Sequence, residues 1–222
     1  MERHGLGGGE RMSVLRRLPA LFPACVLALA ADAALGLLRA PGLGAAAWLL
    51  FVLYGLPVAA YRLHQRRFPL EQGVSYLDGP AYCPWWGGQQ LQAVYIAFPA
   101  LEAGLRLVPG LYSAWLRLWG SRIGAGVYWT PRCAIVDRGL LELGDHVLFG
   151  HEVQCFAHVV KPRNGRLILY VRRVAIGSGA FIGAGSRLGP GVVIEPGCKV
   201  PLLSDLRPNR RFAEPAHDPK TA

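Results

Sequence analysis

Three of the six histidines lie close together in the second half of the chain, where an imidazole could move a proton. They are His146, His151 and His158. A neutral imidazole can remove the proton of a hydroxyl or amine as that group attacks an acyl carbon, while backbone N–H groups stabilise the oxyanion. The other three histidines lie in the two tails or in a basic run, and we do not consider them as catalytic groups.

We predict His158 as the general base because it lies where a regular repeat stops and a basic segment begins. The alternatives are a buried structural histidine or a loop residue. His151 follows Gly150 at a predicted corner and is the second candidate for a catalytic or orienting role. Its neighbour Glu152 could orient an imidazole, although a surface carboxylate is the commoner explanation, and we expect His146 on a solvated corner.

A six-residue repeat builds the elements that must position these side chains. Residues 176–199 read IGSGAF IGAGSR LGPGVV IEPGCK, with an aliphatic residue first, glycine second in three of the four hexads, and a modest side chain fifth. So short a repeat cannot bury a face alone, and it is typical of a stacked parallel β-helix. An amphipathic helix would instead show apolar residues at every third or fourth position.

The same period is visible upstream but is interrupted twice, at residues 137–142 and 159–173. The first-position residues of the upstream hexads are Ile123, Trp129, Ile135, Leu143, Phe149 and Cys155. We therefore predict a β-helix over residues 121–203 with a basic loop at 159–173 and a tail at 204–222. Loops that leave a rigid β-helix are where such folds build sites.

The first part of the chain is apolar enough to associate with a membrane. Hydrophobic residues make up 52% of the chain and charged residues 17%, and the mean hydropathy is +0.28. Residues 18–38 and 43–61 are each about the length that spans a bilayer. A cleaved signal peptide is the competing interpretation of the first run, but a second apolar run follows it.

The predicted organisation places this hairpin at residues 18–67, after a disordered N-terminus at 1–17. Arginines are more frequent outside the hairpin than between its two helices, which predicts that both termini face the cytoplasm. Residues 68–120 are predicted as an aromatic linker followed by interfacial or re-entrant helices at 91–108 and 111–119, with a third membrane span as the alternative.

The net charge limits the kinds of partner that the protein could bind, and the cysteines limit the kinds of site that it could contain. The formal charge of +10 fits an anionic lipid surface or an anionic substrate, and the sequence contains no nucleic-acid-binding motif. The five cysteines are scattered without a CxxC pair, which favours reduced thiols over a zinc site or a disulfide framework.

The hexads, together with RLWGSRIG (residues 117–124) and ELGDHVLFGHEV (residues 142–153), resemble the left-handed β-helix hexapeptide-repeat acyltransferases. The closest likeness is to membrane-tethered members that resemble the C-terminal part of ε-poly-lysine synthetases, in which a lone histidine precedes a basic, repeat-breaking loop. The resemblance covers residues 115–200 and implies homotrimers with acyl-CoA as donor. The family also contains γ-class carbonic anhydrases and non-catalytic scaffolds. A third ligand to join His151 and His158 is missing here, so we expect no metal.

The predicted function is a membrane-anchored acyltransferase that moves an acyl group, such as acetyl, from acyl-CoA to a hydroxyl or amine of a membrane-associated acceptor. The predicted location is the inner (plasma) membrane, as a multi-pass protein with the β-helix in the cytoplasm. We expect the residues that contact acyl-CoA to include Arg172, Arg173, Gly183 and Lys199, although the cations could equally form a basic face on anionic lipid. The alternative function is a non-catalytic trimeric β-helix scaffold in a membrane complex.

Overall fold

The computed structural model describes residues 7–79 and 81–213, and side chains from Leu18 onward. The chain divides into two compact units. The first contains the residues up to Leu70 together with Tyr76–Phe98, and the second contains Glu71–Ser75 and the residues from Pro99 onward.

The first unit is helical. Helix α1 (Gly7–Arg39) is followed by α2 (Leu43–Leu50), a π-helical segment (Phe51–Gly55), α3 (Leu56–Arg67) and α4 (Pro84–Ala97). Helix α4 packs against α1 and α3. Two stretches, Leu18–Arg39 and Leu43–Arg67, are long and apolar enough to cross a bilayer.

The π-helical segment has an identifiable cause in Pro57. Proline has no N–H, so the carbonyl of Leu53, four residues earlier, cannot receive its helical hydrogen bond. The hydroxyl of Tyr95 donates to that carbonyl at 2.6 Å instead. Tyr95, which is buried, therefore satisfies a backbone group that would be costly to leave unpaired in an apolar environment.

The second unit begins with the short helices α5 (Pro99–Arg106) and α6 (Leu111–Trp119) and continues as a stack of very short parallel strands. Strand β1 (Gly73–Tyr76) precedes them in the chain. The stacked strands are β2 (Arg122–Ile123), β3 (Ala134–Ile135), β4 (Leu141–Leu143), β5 (Leu148–Phe149), β6 (Gln154–Cys155), β9 (Val174–Ile176), β10 (Phe181–Ile182), β11 (Arg187–Leu188), β12 (Val193–Ile194), β13 (Lys199–Val200), β14 (Asp205–Leu206) and β15 (Arg211–Phe212).

Successive strands visit three sheets in rotation, which defines a three-sided parallel β-helix. The first face contains β2, β4, β9, β12 and β15, the second β5, β10 and β13, and the third β3, β6, β11 and β14. In the regular part Phe181 pairs with Lys199, eighteen positions later, so three hexads close one coil. The parallel strands predicted from the hexads are confirmed, and the left-handed coiling expected from the resemblance stays a prediction.

Both interruptions of the repeat fall at the same corner, between the third face and the first. Two extra residues lie between β3 and β4, so that Arg122 pairs with Glu142, twenty positions later. At the second interruption the chain leaves the coil after β6 and returns to it at β9. Two of the three corners thus keep the hexad spacing throughout.

The basic segment predicted as a loop folds as an antiparallel hairpin of β7 (His158–Arg163) and β8 (Arg166–Val171). Strand β1 lies along β8 as the third strand of this sheet. The turn uses Asn164 and Gly165, both with positive φ, a pair of residue types that adopt this conformation readily in hairpins.

Several predicted boundaries differ from the structure. Helix α1 begins at Gly7, inside the segment 1–17 that is predicted to be disordered. Helix α4 begins at Pro84, inside the predicted linker, and the single helix expected over 91–108 is divided before Pro99. The division follows from proline chemistry, because Pro99 lacks an N–H and disfavours helical geometry at the preceding residue.

The coil also continues beyond residue 203, its predicted end. Val200, Leu206 and Phe212 keep the six-residue period, and β14 and β15 add a further turn to two of the faces. Residues 214–222 of the predicted tail lie outside the described part of the chain.

The core of the β-helix is a column of first-position residues stacked along its axis. Trp129 stacks on Phe149 with ring centroids 4.6 Å apart and an interplanar angle of 6°. The small fifth-position residues Ala180, Ser186 and Val192 are fully buried beneath them. Second-position glycines let adjacent corners touch: a Cβ at Gly183 would lie 2.6 Å from the backbone of Pro201 and Leu202.

We expect Gly183→Ala to destabilise the β-helix by about 1–3 kcal/mol, because the new methyl group would force two coils apart. The measurement is the thermal or denaturant midpoint of the full chain. Gly179→Asn is the matched control: this corner glycine has a positive φ, which asparagine tolerates, and no atom lies within 4 Å of the position that a Cβ would occupy. Equal midpoints for the two variants would contradict the packing explanation.

Candidate active site

The clearest chemical arrangement in the second unit is a histidine–carboxylate pair at the interrupted corner. Nδ1 of His158 lies 2.8 Å from Oδ2 of Asp137. His158 begins the hairpin and its side chain is 20% exposed, whereas the Asp137 side chain is 4% exposed. Asp137 begins the first interruption of the repeat and His158 immediately precedes the second, and the stacking of coils brings the two residues together.

The backbone holds the Asp137 carboxylate in place. The N–H of Ala157 donates to Oδ2 at 2.7 Å, and the N–H of Leu140 donates to the Asp137 carbonyl at 3.0 Å. An ionised carboxylate only accepts hydrogen bonds, so Nδ1 of His158 must carry the donated proton. The lone pair of the neutral ring is then on Nε2, as a general base requires.

The next residue, Arg138, anchors the same corner from the opposite side. Its carbonyl accepts from Oγ of Ser121 at 2.7 Å, and Oγ of Ser121 in turn accepts from the N–H of Leu141 at 2.9 Å. Ser121 therefore bridges the backbone on either side of the two extra residues. As a result, the Asp137–Arg138 dipeptide is held by hydrogen bonds from both its backbone and its side chains.

The Arg138 guanidinium belongs to a buried ionic cluster. Its Nε donates to Oε1 of Glu102 at 2.7 Å, and Nη2 of Arg106 lies 3.4 Å from Oε2 of the same carboxylate. Glu102 and Arg106 lie one turn apart on α5, a spacing at which opposite charges pair. Here the pair is buried: the side chains of Glu102, Arg106 and Arg138 are at most 5% exposed.

Tyr112 completes this cluster as a neutral phenol. Its hydroxyl accepts from Arg106 at 2.8 Å and donates to Glu102 at 3.3 Å. Burial, followed by the charge of Glu102, raises the pKa of Tyr112 far above its ordinary value. The guanidinium of Arg106 also lies over the Tyr112 ring, 4.1 Å from its centroid.

The other two predicted catalytic residues lie on an exposed corner. Nε2 of His151 is 3.7 Å from Oε1 of Glu152, and both side chains are about half exposed. Oε1 of Glu152 also pairs with Arg132 at 3.0 Å. Glu152 lies beside His151, but the carboxylate that bonds to His158 is Asp137. His146 is exposed at the neighbouring corner, as expected.

The four residues predicted to bind acyl-CoA do not form one cluster. Arg172 and Arg173 follow the hairpin at the interrupted corner. Nη1 of Arg172 donates to Asn209 at 3.0 Å, and Nη1 of Arg173 donates to the Gly139 carbonyl at 3.2 Å. Both cations therefore flank the corner that holds His158.

Gly183 and Lys199 lie together elsewhere, on the second face. The N–H of Gly183 donates to the carbonyl of Val200, the residue after Lys199, at 2.9 Å. Coil packing alone explains the glycine at position 183. Lys199 is exposed, and its role with an anion stays a prediction.

Buried thiols do not supply a nucleophile. Burial raises the pKa of the Cys133 thiol to about 11 and raises that of Cys155 well above its ordinary value. Thiolate is therefore scarce at both positions near neutral pH. Among the described residues, no group of three or more histidine, cysteine, aspartate or glutamate side chains is arranged to hold a metal ion.

Asp137 is the residue of this candidate site that sequence reasoning does not find. It lies in the phase slip, 21 positions before His158, and no local motif joins the two residues. The signal that could have found it is the interruption of the repeat at residues 137–142. Residues that interrupt the repeat one coil before a predicted general base are good candidates for its hydrogen-bond partner.

Among solved structures, the chain is similar to three acetyltransferases. One is a hexapeptide-repeat containing acetyltransferase from Vibrio cholerae, with 16% identity, a TM-score of 0.37, and coverage of 54% of this chain and 85% of that one. Serine acetyltransferase isoform 3 from Entamoeba histolytica has 13% identity, a TM-score of 0.27, and coverage of 78% and 62%. A maltose O-acetyltransferase from Clostridium difficile has 19% identity, a TM-score of 0.23, and coverage of 73% and 82%.

No family model matches the chain, and no curated protein matches it. Because the three TM-scores are below 0.5, the fold assignment rests on the strand pairing described above and the site assignment on the side-chain geometry. The resemblance to ε-poly-lysine synthetases stays a prediction.

We expect Glu102→Gln to destabilise the second unit by about 3–5 kcal/mol, because it leaves two buried guanidinium groups without their carboxylate. The measurement is the free energy of unfolding from denaturant titration. Glu142→Gln is the matched control, since Glu142 pairs with Arg122 at an exposed position, where a salt bridge contributes about 0–1 kcal/mol. Similar losses in both variants would contradict a structural role for the buried cluster.

Proposed function

We propose that this protein is a membrane-anchored acyltransferase that moves an acyl group from acyl-CoA to a hydroxyl or amine of a membrane-associated acceptor. The observation that carries the proposal is the His158–Asp137 pair at the one corner where the repeat is interrupted. A carboxylate that accepts from Nδ1 leaves Nε2 as the basic nitrogen, which is the arrangement that general-base catalysis requires.

In the proposed reaction, His158 removes a proton from the acceptor as its oxygen or nitrogen attacks the thioester carbon. The tetrahedral intermediate then collapses, the carbon–sulfur bond breaks, and the proton on Nε2 passes to the departing thiolate. The products are the acylated acceptor and free CoA thiol. Asp137 orients the ring and stabilises the imidazolium that forms during the step.

Arg172 and Arg173 are the better placed of the proposed CoA contacts, because they flank the corner that holds His158. Guanidinium groups bind phosphate through charge-assisted hydrogen bonds. In this proposal Gly183 and Lys199, on the second face, serve a CoA molecule bound to an adjacent copy of the coil. His151 and Glu152 remain candidates for a supporting role at their exposed corner.

The two apolar helices support membrane anchoring. Arg16 and Arg17 precede the first span, and Arg66 and Arg67 end the second, which favours a cytoplasmic location for both termini. We therefore place the β-helix on the cytoplasmic side of the inner membrane. An anchored enzyme would meet an acceptor that is itself lipid-linked.

The proposed homotrimer has a suitable surface on the second face. Three of its outward residues, Tyr128, Leu148 and Phe181, are adjacent on neighbouring strands, and each is at least 40% exposed. Lys199 follows Phe181 at the end of this row. The outward residues of the third face are mostly polar: Ala134, Gln154, Arg187 and Asp205. An apolar column of this kind is typical of a protein–protein contact.

We expect His158→Ala to lower acyl transfer by about 10²- to 10⁴-fold, the usual contribution of a general base. Asp137→Asn should lower the rate by up to about 10⁴-fold, because an asparagine in place of the carboxylate can hold the ring in the wrong tautomer. The assay measures transfer from radiolabelled acetyl-CoA to extracted membrane lipid by the full chain in nanodiscs.

His146→Ala is the matched control, because His146 is an exposed histidine outside the pair, and it should retain the wild-type rate. An unchanged rate in His158→Ala would refute the assignment of the base, and loss of activity in His151→Ala alone would transfer the role to that residue. If no acyl-CoA raised the melting temperature of the wild-type protein, the non-catalytic scaffold would be the better explanation.

We expect Phe181→Glu to dissociate the oligomer, because it places a carboxylate on the apolar column of every copy. The molecular mass in detergent, measured by light scattering, should fall toward the 24.1 kDa of one chain. Gln154→Glu introduces the same charge on the third face and should leave the mass unchanged. A wild-type protein that is already monomeric would contradict the proposed trimer.

A further inference from the structure

The second unit contains a cleft that the proposed reaction does not use. Its volume is about 580 Å³, within the range of about 300–1,000 Å³ that is common for small-molecule sites. Helices α5 and α6, the turn between them, and the first coil of the β-helix form its walls. The residues that matter below are Arg106, Leu107, Val108 and Arg117.

One of the residues that line the cleft is a buried cation with an unused donor. Arg106 lines the cleft, and its side chain is 2% exposed. Nη1 donates to the carbonyl of Pro131 at 2.9 Å, and Nη2 to Tyr112 and Glu102. Within the described residues, its Nε has no hydrogen-bond partner. A buried charged donor left without an acceptor is costly and indicates a missing group.

The charge balance around Arg106 also favours an anion. Two buried guanidinium groups, Arg106 and Arg138, share the single carboxylate of Glu102. The cluster therefore holds one positive charge more than it neutralises. Arg117 adds a further cation to the lining, and the described residues that line the cleft include no aspartate or glutamate.

The remaining walls are apolar. Leu107 and Val108 are both more than half exposed. Exposed apolar side chains around a cationic floor match a ligand with an anionic head and a hydrocarbon chain. The two apolar helices of the same chain are suited to a membrane, where such amphiphiles are abundant.

We propose that this cleft binds an anionic amphiphile, a carboxylate or phosphate head group on an aliphatic chain, with Arg106 holding the head and the wall around Leu107 and Val108 holding the chain. The site uses neither His158 nor Asp137. Binding can therefore be present or absent independently of acyl transfer, and failure of one proposal leaves the other standing.

The experiment measures ligand binding to the full chain in a neutral maltoside detergent by native mass spectrometry. Oleate and oleoyl lysophosphatidate test the two head groups, monoolein supplies the same chain without charge, and inorganic phosphate supplies charge without a chain. We expect one oleate or lysophosphatidate per chain, bound at least about tenfold more tightly than monoolein, because a hydrogen bond to a charged group contributes that much.

Two variants test the placement of the ligand. Arg106→Gln removes the charge but leaves Glu102 paired with Arg138, and Val108→Trp fills the cleft without touching the ionic cluster. Each should weaken oleate binding by about tenfold or more. Arg132→Gln removes an exposed cation and should change binding by less than about twofold.

Three results would overturn the proposal. Equal affinity for monoolein would remove the role of the charge, and competition by inorganic phosphate as strong as that by oleate would remove the role of the chain. Wild-type affinity in Val108→Trp would place the ligand elsewhere. Because Val108→Trp keeps the buried cluster intact, it decides the question even if Arg106→Gln does not fold.

Discussion

Hydrogen bonding between stacked coils is the constraint on which the second unit depends. Parallel strands of two or three residues pair only if every coil returns to the same register, and eighteen residues achieve this in the regular part. A coil with extra residues can keep this register only if the extra residues lie at a corner, outside the hydrogen-bonded strands. Both sets of extra residues lie at the corner between the third and first faces. The other two corners and the buried column inside the coil therefore keep their regular spacing.

The expelled residues form the candidate site because they are released from the repeat but remain anchored by it. The hexad pattern assigns every residue of a regular coil to the core, an outward position or a corner. Asp137 and His158 lie outside that pattern, yet the strands on either side hold their backbones. The rigidity needed to keep a 2.8 Å contact between two interruptions of the chain therefore comes from the solenoid, and the freedom to place a carboxylate comes from its breaks.

The regular part of the fold is predictable from sequence because its signal is local. An aliphatic residue every six positions identifies nearly all of the inward side chains, and the two candidate membrane helices follow from hydropathy. The coil beyond Val200 escapes prediction because proline and arginine replace glycine at the second position, at Pro201 and Arg207. Asp137 escapes it for a different reason. Its partner lies about one coil later, and the length of that coil is known only once the two extra residues have been placed at their corner.

The Glu102–Arg106 pair has an ordinary helical spacing in the sequence, but in the structure it is part of the buried cluster. On an exposed helix, Glu102 and Arg106 would contribute a few tenths of a kcal/mol. In the structure the same carboxylate also holds Arg138, so that helix α5 is tied to the residue that follows Asp137. One dipeptide, Asp137–Arg138, thus connects helix α5 on one side with the imidazole of His158 on the other. The position of the imidazole therefore depends on the same corner of the backbone that the buried cluster holds in place.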